Sequence, residues 1–277
     1  MSRTGRHLNA LTHGRGLVGT LAVGLVVLAG LAAPVLAPYA PDAQIPGANL
    51  LGPGAAHWFG TDTANRDILS RTLYGIRTNL LLVVLAVPAG AVTGGLAGLV
   101  SAQWRWLDGL IQRSFDLVLA FPTILLAIAV TMILGPGLWT VFLVTVLAEI
   151  PVFGRLVRGV ALSVRERPYV EAARTVGAPD TWILRHHILP NSIDPLIVQL
   201  AVAMSVAVFV EGAMSFLGLG VVPPTPSLGS LINEGAAYAW HAPFYAVGPL
   251  AVVVLLTLGL LLIAQALSHA TRNEVPA

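Results

Sequence analysis

Six stretches of the chain are apolar for long enough to cross a lipid bilayer, at about 16–37, 79–101, 115–135, 138–160, 193–216 and 246–268. A crossing takes roughly 20 such residues at 1.5 Å of rise each. The pattern therefore predicts an all-α, polytopic membrane protein with six transmembrane helices. One long polar break interrupts it, at about 161–192. There Tyr169 to Val176 reads as a short helix ended by Gly177, and Pro179 starts a second helix that runs to Leu189 before Pro190 breaks it. Arg165, Glu166, Arg167, Glu171, Arg174, Asp180 and Arg185 keep this segment in water, while Tyr169, Val170, Ala173, Val176, Trp182 and Ile183 offer apolar knobs to a groove on another protein. Ahead of the second run, Ile68, Leu69, Leu73 and Ile76 recur at helical spacing opposite Arg66, Asp67, Ser70, Arg71 and Arg77. That arrangement predicts an amphipathic helix lying along the outer membrane interface.

Composition agrees with this class. The 277 residues are 56% hydrophobic and only 10% charged, with a mean hydropathy of +0.81, whereas about a quarter of a soluble domain is charged. Arg3, Arg6 and Arg15 precede the first run as they would a secretory signal. That run exceeds the usual signal core of about 7–15 residues, and Pro38 follows the best cleavage point, so it reads as a retained anchor.

All fifteen basic residues are arginine. With the N-terminus in the cytoplasm, Arg3, Arg6, Arg15, Arg105, Arg113, Arg155, Arg158, Arg165, Arg167, Arg174, Arg185 and Arg272 fall on or near the cytoplasmic side, and Arg66, Arg71 and Arg77 fall outside. This is the positive-inside bias, and it places both termini in the cytoplasm. It also accounts for the pI of about 9.4 without a nucleic-acid partner. The absence of cysteine removes disulfides, cysteine-ligated metals and thiol catalysis. The absence of lysine removes the P-loop, whose Lys reaches the β- and γ-phosphates of a nucleotide. If the chain serves ATP-driven transport, the motor is another polypeptide, and the chain itself is not an enzyme.

The run Glu171-Ala172-Ala173, then Gly177, then Leu189-Pro190 resembles the coupling loop of the membrane subunits of ABC importers. A second segment narrows the family. Phe59-Gly60-Thr61-Asp62, Arg66-Asp67-Ile68-Leu69-Ser70-Arg71 and Tyr74-Gly75-Ile76-Arg77 are similar to the external stretch of the dipeptide/oligopeptide/nickel permeases, of the type found in the second of their two paired membrane subunits. Asp116 to Pro122, Gly135-Pro136, Gly154 to Gly159, Ser215 to Gly220 and Pro223 to Ser227 resemble the same family in the same order, from about residue 57 onward. Asn65 stands where the family has Gly, a position suited to positive φ that Asn tolerates better than most residues. Leu228 stands where the family has Trp, at the expense of an interfacial anchor.

The resemblance implies a type I ABC importer (MetI-like) permease fold. It divides the chain into an N-terminal part, 1–57, with the first span, and a core permease domain, 58–277. It implies a bacterial inner-membrane subunit with no cofactor. It also implies as partners a second homologous permease in a heterodimer, two ABC ATPases and an external substrate-binding protein. Coupling to the ATPase is expected at Glu171, Ala172, Ala173, Arg174, Gly177, His187, Leu189 and Pro190, and the solutes expected are di- or oligopeptides or their relatives. ATP-driven closure of the ATPase pair would move the loop and open the membrane dimer outward. A secondary transporter, or a regulatory membrane subunit without its own pathway, is the alternative reading. The former usually carries internal repeats, which this sequence lacks.

Two acids fall inside apolar runs, where charge is costly enough to signal function. Glu211 is expected to belong to the translocation pathway, facing a cavity, or to face a partner helix. Glu149, just before Pro151, is expected to tune the pathway or to pair with an arginine. The adjacent His186 and His187 point about 100° apart on a helix and make no metal site together. His57 and His241 are external and isolated. Ala89, Gly90, Ala91, Gly94, Gly95, Ala97 and Gly98 crowd the second run, a pattern that lets helices approach closely and slide. The Pro-rich segment 221–229 is a stiff external loop that, by the resemblance, faces the solute-delivering protein.

Overall fold

The computed structural model describes residues 3–272, apart from the side chains of Arg3, Thr4 and Arg272. The extreme ends, and with them the expected cytoplasmic termini, lie outside the described residues. The architecture is all-helical, with one isolated bridge between Thr61 and Asp67. In chain order the helices are α1 (Arg3–Thr12), α2 (Gly14–Leu31), α3 (Ala33–Leu36), α4 (Ile68–Gln103), α5 (Arg105–Leu119), α6 (Thr123–Leu134), α7 (Leu138–Arg165), α8 (Pro168–Thr175), α9 (Asp180–Ile183), α10 (Leu189–Phe216), α11 (Leu228–Ala236) and α12 (Phe244–Arg272). Among the described residues, five helices are long and apolar enough to cross a membrane: α2, α4, α7, α12 and the run from Asp180 through α10. The bent pair α5 and α6 makes a sixth crossing when counted as one span.

Three boundaries differ from those the sequence predicts. The segment expected to lie along the interface is instead the first turns of α4, a single helix of 36 residues and about 54 Å. Ile68 and Ile76 are buried there, but so are Ser70 and Arg71 from the supposedly wet face. Polar partners receive those two side chains, so of the polar set placed on this helix only Arg77 is left exposed. The third predicted span is two helices meeting at 91° across Ala120, Phe121 and Pro122. Pro122 precedes Thr123 as the N-cap of α6, where its missing N–H costs nothing. Pro190, by contrast, breaks nothing. A π-helical turn, Leu184–Ile188, runs directly into α10, and the Leu189 N–H donates to the Leu184 carbonyl, five residues back. The wider turn changes the hydrogen-bond register just where proline lacks a donor, so the chain stays helical.

The core is assembled from facing apolar stripes. Leu73, Ile76, Val83 and Val87 of α4 meet Phe153 of α7, Ala203 and Ala207 of α10, Leu228 of α11 and Leu256 of α12. Leu228 is fully buried in this cluster. The position therefore belongs to the protein interior and is no interfacial anchor, which is why Leu serves there. Against α7, the small-residue face of α4 reads Gly90, Gly94, Gly98. A Cβ at Gly94 would lie 2.2 Å from the Ile150 carbonyl oxygen, and one at Gly98 2.2 Å from that of Gly154. The close approach expected of these glycines is thus made by α7, backbone against backbone.

The bundle has a basal end, carrying α8 and α9, and an apical end, carrying residues 38–67 and α11. These two ends hold the polar chemistry.

Candidate functional site

At the basal end, α8 begins with Pro168 and terminates in a Schellman motif. The Gly177 N–H donates to the Arg174 carbonyl at 2.9 Å and the Ala178 N–H to that of Ala173 at 3.0 Å. Gly177 has φ +83, the left-handed region that an L side chain enters only with strain, and a Cβ there would meet open space. Its glycine is therefore required by backbone conformation. Pro179 then caps α9.

This helix pair projects from the bundle yet stands on its own core. Val170, Ile183 and Ile188 are buried against Ala161 and Val164 of α7. Val170 and Ile183, expected as outward knobs, thus point inward and hold the loop in place. The outward set is Tyr169, Val176 and Trp182, with Val176 86% exposed. Between them lies an open depression of about 600 Å³ lined by Tyr169, Ala172, Ala173, Gly177, Trp182 and His187. Trp182 forms its side wall. The His186 ring stacks on it at 4.5 Å, and His187 meets its edge at 5.2 Å and Tyr169 at 5.1 Å.

Of the residues singled out in sequence, Glu171, Ala172 and Arg174 are exposed beside the depression, and Ala173 and His187 are half-buried in it. Leu189 and Pro190 stand at the root of α10, away from it. A polar link that the sequence does not announce fastens the loop to the bundle. Arg165 donates to the Ala102 carbonyl at 2.6 Å and to the Gln103 side chain, whose amide in turn donates to Asp180 at 2.8 Å. The ends of α4 and α7 are thereby joined to the start of α9.

The two intramembrane acids differ in kind. Glu211 is fully buried, accepts from the Asn79 amide of α4, and accepts from Ser215 one turn along its own helix at 2.8 Å. Asn79 also accepts from the Leu228 N–H at 3.3 Å. Glu211 therefore faces partner helices, tying α4, α10 and α11 together. Glu149 packs on Gly90 of α4, and neither its Oε2 nor the hydroxyl of Thr145, one turn before it, has a hydrogen-bond partner. Among the described residues no arginine pairs with it.

The family described as a binding-protein-dependent transport system inner membrane component matches residues 90–273. This chain belongs to that family. Its members are membrane-embedded parts of transport systems rather than enzymes, and the chain is accordingly a multi-pass inner-membrane permease component. It is 38% identical over 255 residues to the dipeptide transport system permease protein DppC of Alkalihalophilus pseudofirmus, covering 92% of this chain and 84% of that one. It is 39% identical over 261 residues to the glutathione transport system permease protein GsiD of Escherichia coli, covering 94% and 86%. A putative peptide transport system permease protein of Brucella suis is 37% identical over 250 residues, covering 90% and 84%. Among solved structures, an inward-facing form of the MetNI methionine ABC transporter superposes with a TM-score of 0.60 at 18% identity, over 74% of this chain and 97% of that chain. The MetI-like permease fold expected from the sequence is the fold observed.

The apical end of this permease component holds a polar knot that sequence reasoning missed. Asp62, fully buried, accepts from the Ala64 and Arg66 N–H groups at 2.8 Å each, from Arg66 Nε at 2.7 Å and from Arg71 Nη1 at 2.6 Å. Arg71 also reaches Glu234 of α11, which accepts from the Tyr245 hydroxyl of α12. Asp67 caps α4 through the Ser70 N–H at 2.8 Å and meets His57 Nδ1 at 2.9 Å. Asn65 closes the turn between Asp62 and Arg66 with φ +61, the conformation expected for this substitute for glycine. The acidic and basic residues of the quoted motif were visible; their distant partner Glu234 was not.

Proposed function

We propose that this chain is one of two membrane subunits of an ATP-driven importer for di- or oligopeptides or related solutes. It forms half of the translocation pathway and receives the motion of a separate ATPase through the loop at about 161–192. A second homologous permease, two ATPases and an external solute-binding protein complete the assembly, with both termini of this chain in the cytoplasm. The peptide and glutathione permeases named above support the solute class.

The observation that carries the reading is the basal helix pair. Its inner face is locked to α7 by Val170, Ile183 and Ile188, and its outer face presents an open, aromatic-walled depression. A loop serving only as a linker needs neither a private core nor a fixed concave face. A force transmitter needs both, because a soft attachment would absorb the motion it receives. Arg165, Gln103 and Asp180 extend the attachment to α4.

The test is purification of the solubilised chain from its native membrane, with identification of bound proteins and an ATP hydrolysis assay. Recovery of two P-loop ATPases and a second permease, with hydrolysis stimulated by peptide-loaded binding protein, is the expected result. A stable chain with no ATPase partner would overturn it.

A further inference from the structure

Two ion pairs join α5 to α7. Asp108 is held by Arg158 through two bonds of 2.7 and 2.6 Å, and Asp116 pairs with Arg155. Between them the Phe115 ring fits against Gly154, where a Cβ would come within 2.4 Å of it. The first pair is partly sheltered. In the second, the Asp116 side chain is 67% exposed and that of Arg155 43%.

The depth of this open pair is unusual for lipid-facing surface. Arg155 precedes the end of α7 by ten residues in a helix of 28 residues and about 42 Å. With the helix midpoint at the bilayer midplane, a hydrocarbon layer of about 30 Å places Arg155 roughly 10 Å inside it. An arginine can reach toward the headgroups from there, but the short aspartate bound to it cannot. Charge at that depth faces water or protein.

The same ridge of α7 gives a second, independent indication. At spacing four this ridge runs Leu143, Leu147, Pro151, Arg155, Gly159 and Ser163; Leu143 and Leu147 in the apical half and Arg155, Gly159 and Ser163 in the basal half are exposed, and Pro151 between the two halves is buried. The upper half suits lipid. The lower half is charged, bare and hydroxylated, as the wall of an aqueous cleft is.

We propose that this half of α7, with Asp116 of α5, lines the solute path, and that the Asp116 and Arg155 pair binds the charged side chains of peptides in transit. A cationic side chain of the solute pairs with Asp116 and an anionic one with Arg155, either displacing the pair's mutual contact. Exposed pairs contribute little stability, so this exchange costs little. The solute class rests on the peptide-importer reading; the aqueous position does not.

Because the chain has no cysteine, Asp116→Cys and Arg155→Cys variants of the whole transporter can be labelled with a membrane-impermeant methanethiosulfonate in inside-out vesicles. Rapid labelling of both is expected, with Leu143→Cys unlabelled. Failure of both to label would overturn the aqueous path and assign the pair to a contact with the other membrane subunit. Uptake of alanyl-lysine and alanyl-glutamate is then compared in Asp116→Asn and Arg155→Gln. We expect the lysine-to-glutamate uptake ratio to fall at least fivefold in the first variant and to rise at least fivefold in the second. Equal losses for both peptides in both variants would show a positioning role only and overturn the binding site. A wild-type transporter that carries neither peptide would instead sink the peptide reading, while the labelling result still decides the path.

Discussion

Arg71 Nη1 lies 2.7 Å from a Glu234 carboxylate oxygen and 2.6 Å from Asp62, with the arginine side chain only 1% exposed. Arg71 and Glu234 are 163 residues apart in sequence. One arginine thereby fixes the start of α4 to the apical loop and to α11, and a buried charge in that position is destabilising the moment a partner is lost.

Replacing Arg71 by alanine leaves buried Asp62 with Arg66 alone as its counter-charge and deprives Glu234 of α11 of its Arg71 partner. We expect a loss of about 3–5 kcal/mol, read as a lower thermal midpoint of the detergent-solubilised chain. Arg71→Lys should recover only part of it, because an ammonium lacks the planar fork that spans two carboxylates. Equal midpoints for wild type and Arg71→Ala would show that the knot contributes nothing to stability.

Gly177→Asp tests the basal loop. The backbone there sits at φ +83, so the variant carries strain on the order of 1 kcal/mol, too little to prevent insertion. It also places a charge beside the depression. Membrane levels should stay near wild type, with ATP hydrolysis by the assembled complex retained and uptake reduced severalfold. Normally coupled uptake in this variant would count against docking at the loop.

The contact between α4 and α7 is tested by Gly94→Ala, whose methyl would fall 2.2 Å from the Ile150 carbonyl oxygen. Backbone on both sides cannot move aside cheaply, so overpacking of about 1–3 kcal/mol is expected. Gly24→Ala, facing open space within α2, is the matched control and should hold or slightly raise the thermal midpoint, because alanine is the better helix former. Similar midpoints for the two variants would refute the close approach.

Glu211 separates a structural from a transport role. Glu211→Ala strands the Asn79 amide in the interior, at about 1–3 kcal/mol, and should lower stability. Glu211→Gln keeps an acceptor for Asn79 and should stay close to wild type. If uptake follows stability across the two variants, the carboxyl serves packing. A Gln variant that is stable but transports poorly would place the charge itself in the mechanism.

Much of this architecture is legible in the chain because a bilayer enforces a simple code. Apolar length marks the spans, and Gly90, Gly94 and Gly98 mark the face where another helix touches. The fate of each proline is not legible. Pro88, Pro151, Pro195 and Pro249 sit inside helices, Pro122 divides two, and Pro190 is absorbed by a π-helical turn. The local signature is the same in every case. What differs is whether neighbouring backbone can re-register around the missing donor, and that is a property of packing. The apical knot is hidden for a related reason: Arg71 reads as a solvated residue of an amphipathic turn until Glu234 arrives from α11. The basal loop shows both outcomes at once, since Gly177 is dictated by its own backbone while the inward turn of Val170 and Ile183 depends on α7.

The bare contact of α4 with α7 has a mechanical consequence. With no side chain between the backbones where Gly94 and Gly98 meet Ile150 and Gly154, the two helices form a stiff strut reaching from the apical knot to the clamp made by Gln103, Arg165 and Asp180. Such a strut stores little elastic energy under load. A displacement applied at its foot emerges at its head as tilt, with little lost to bending on the way.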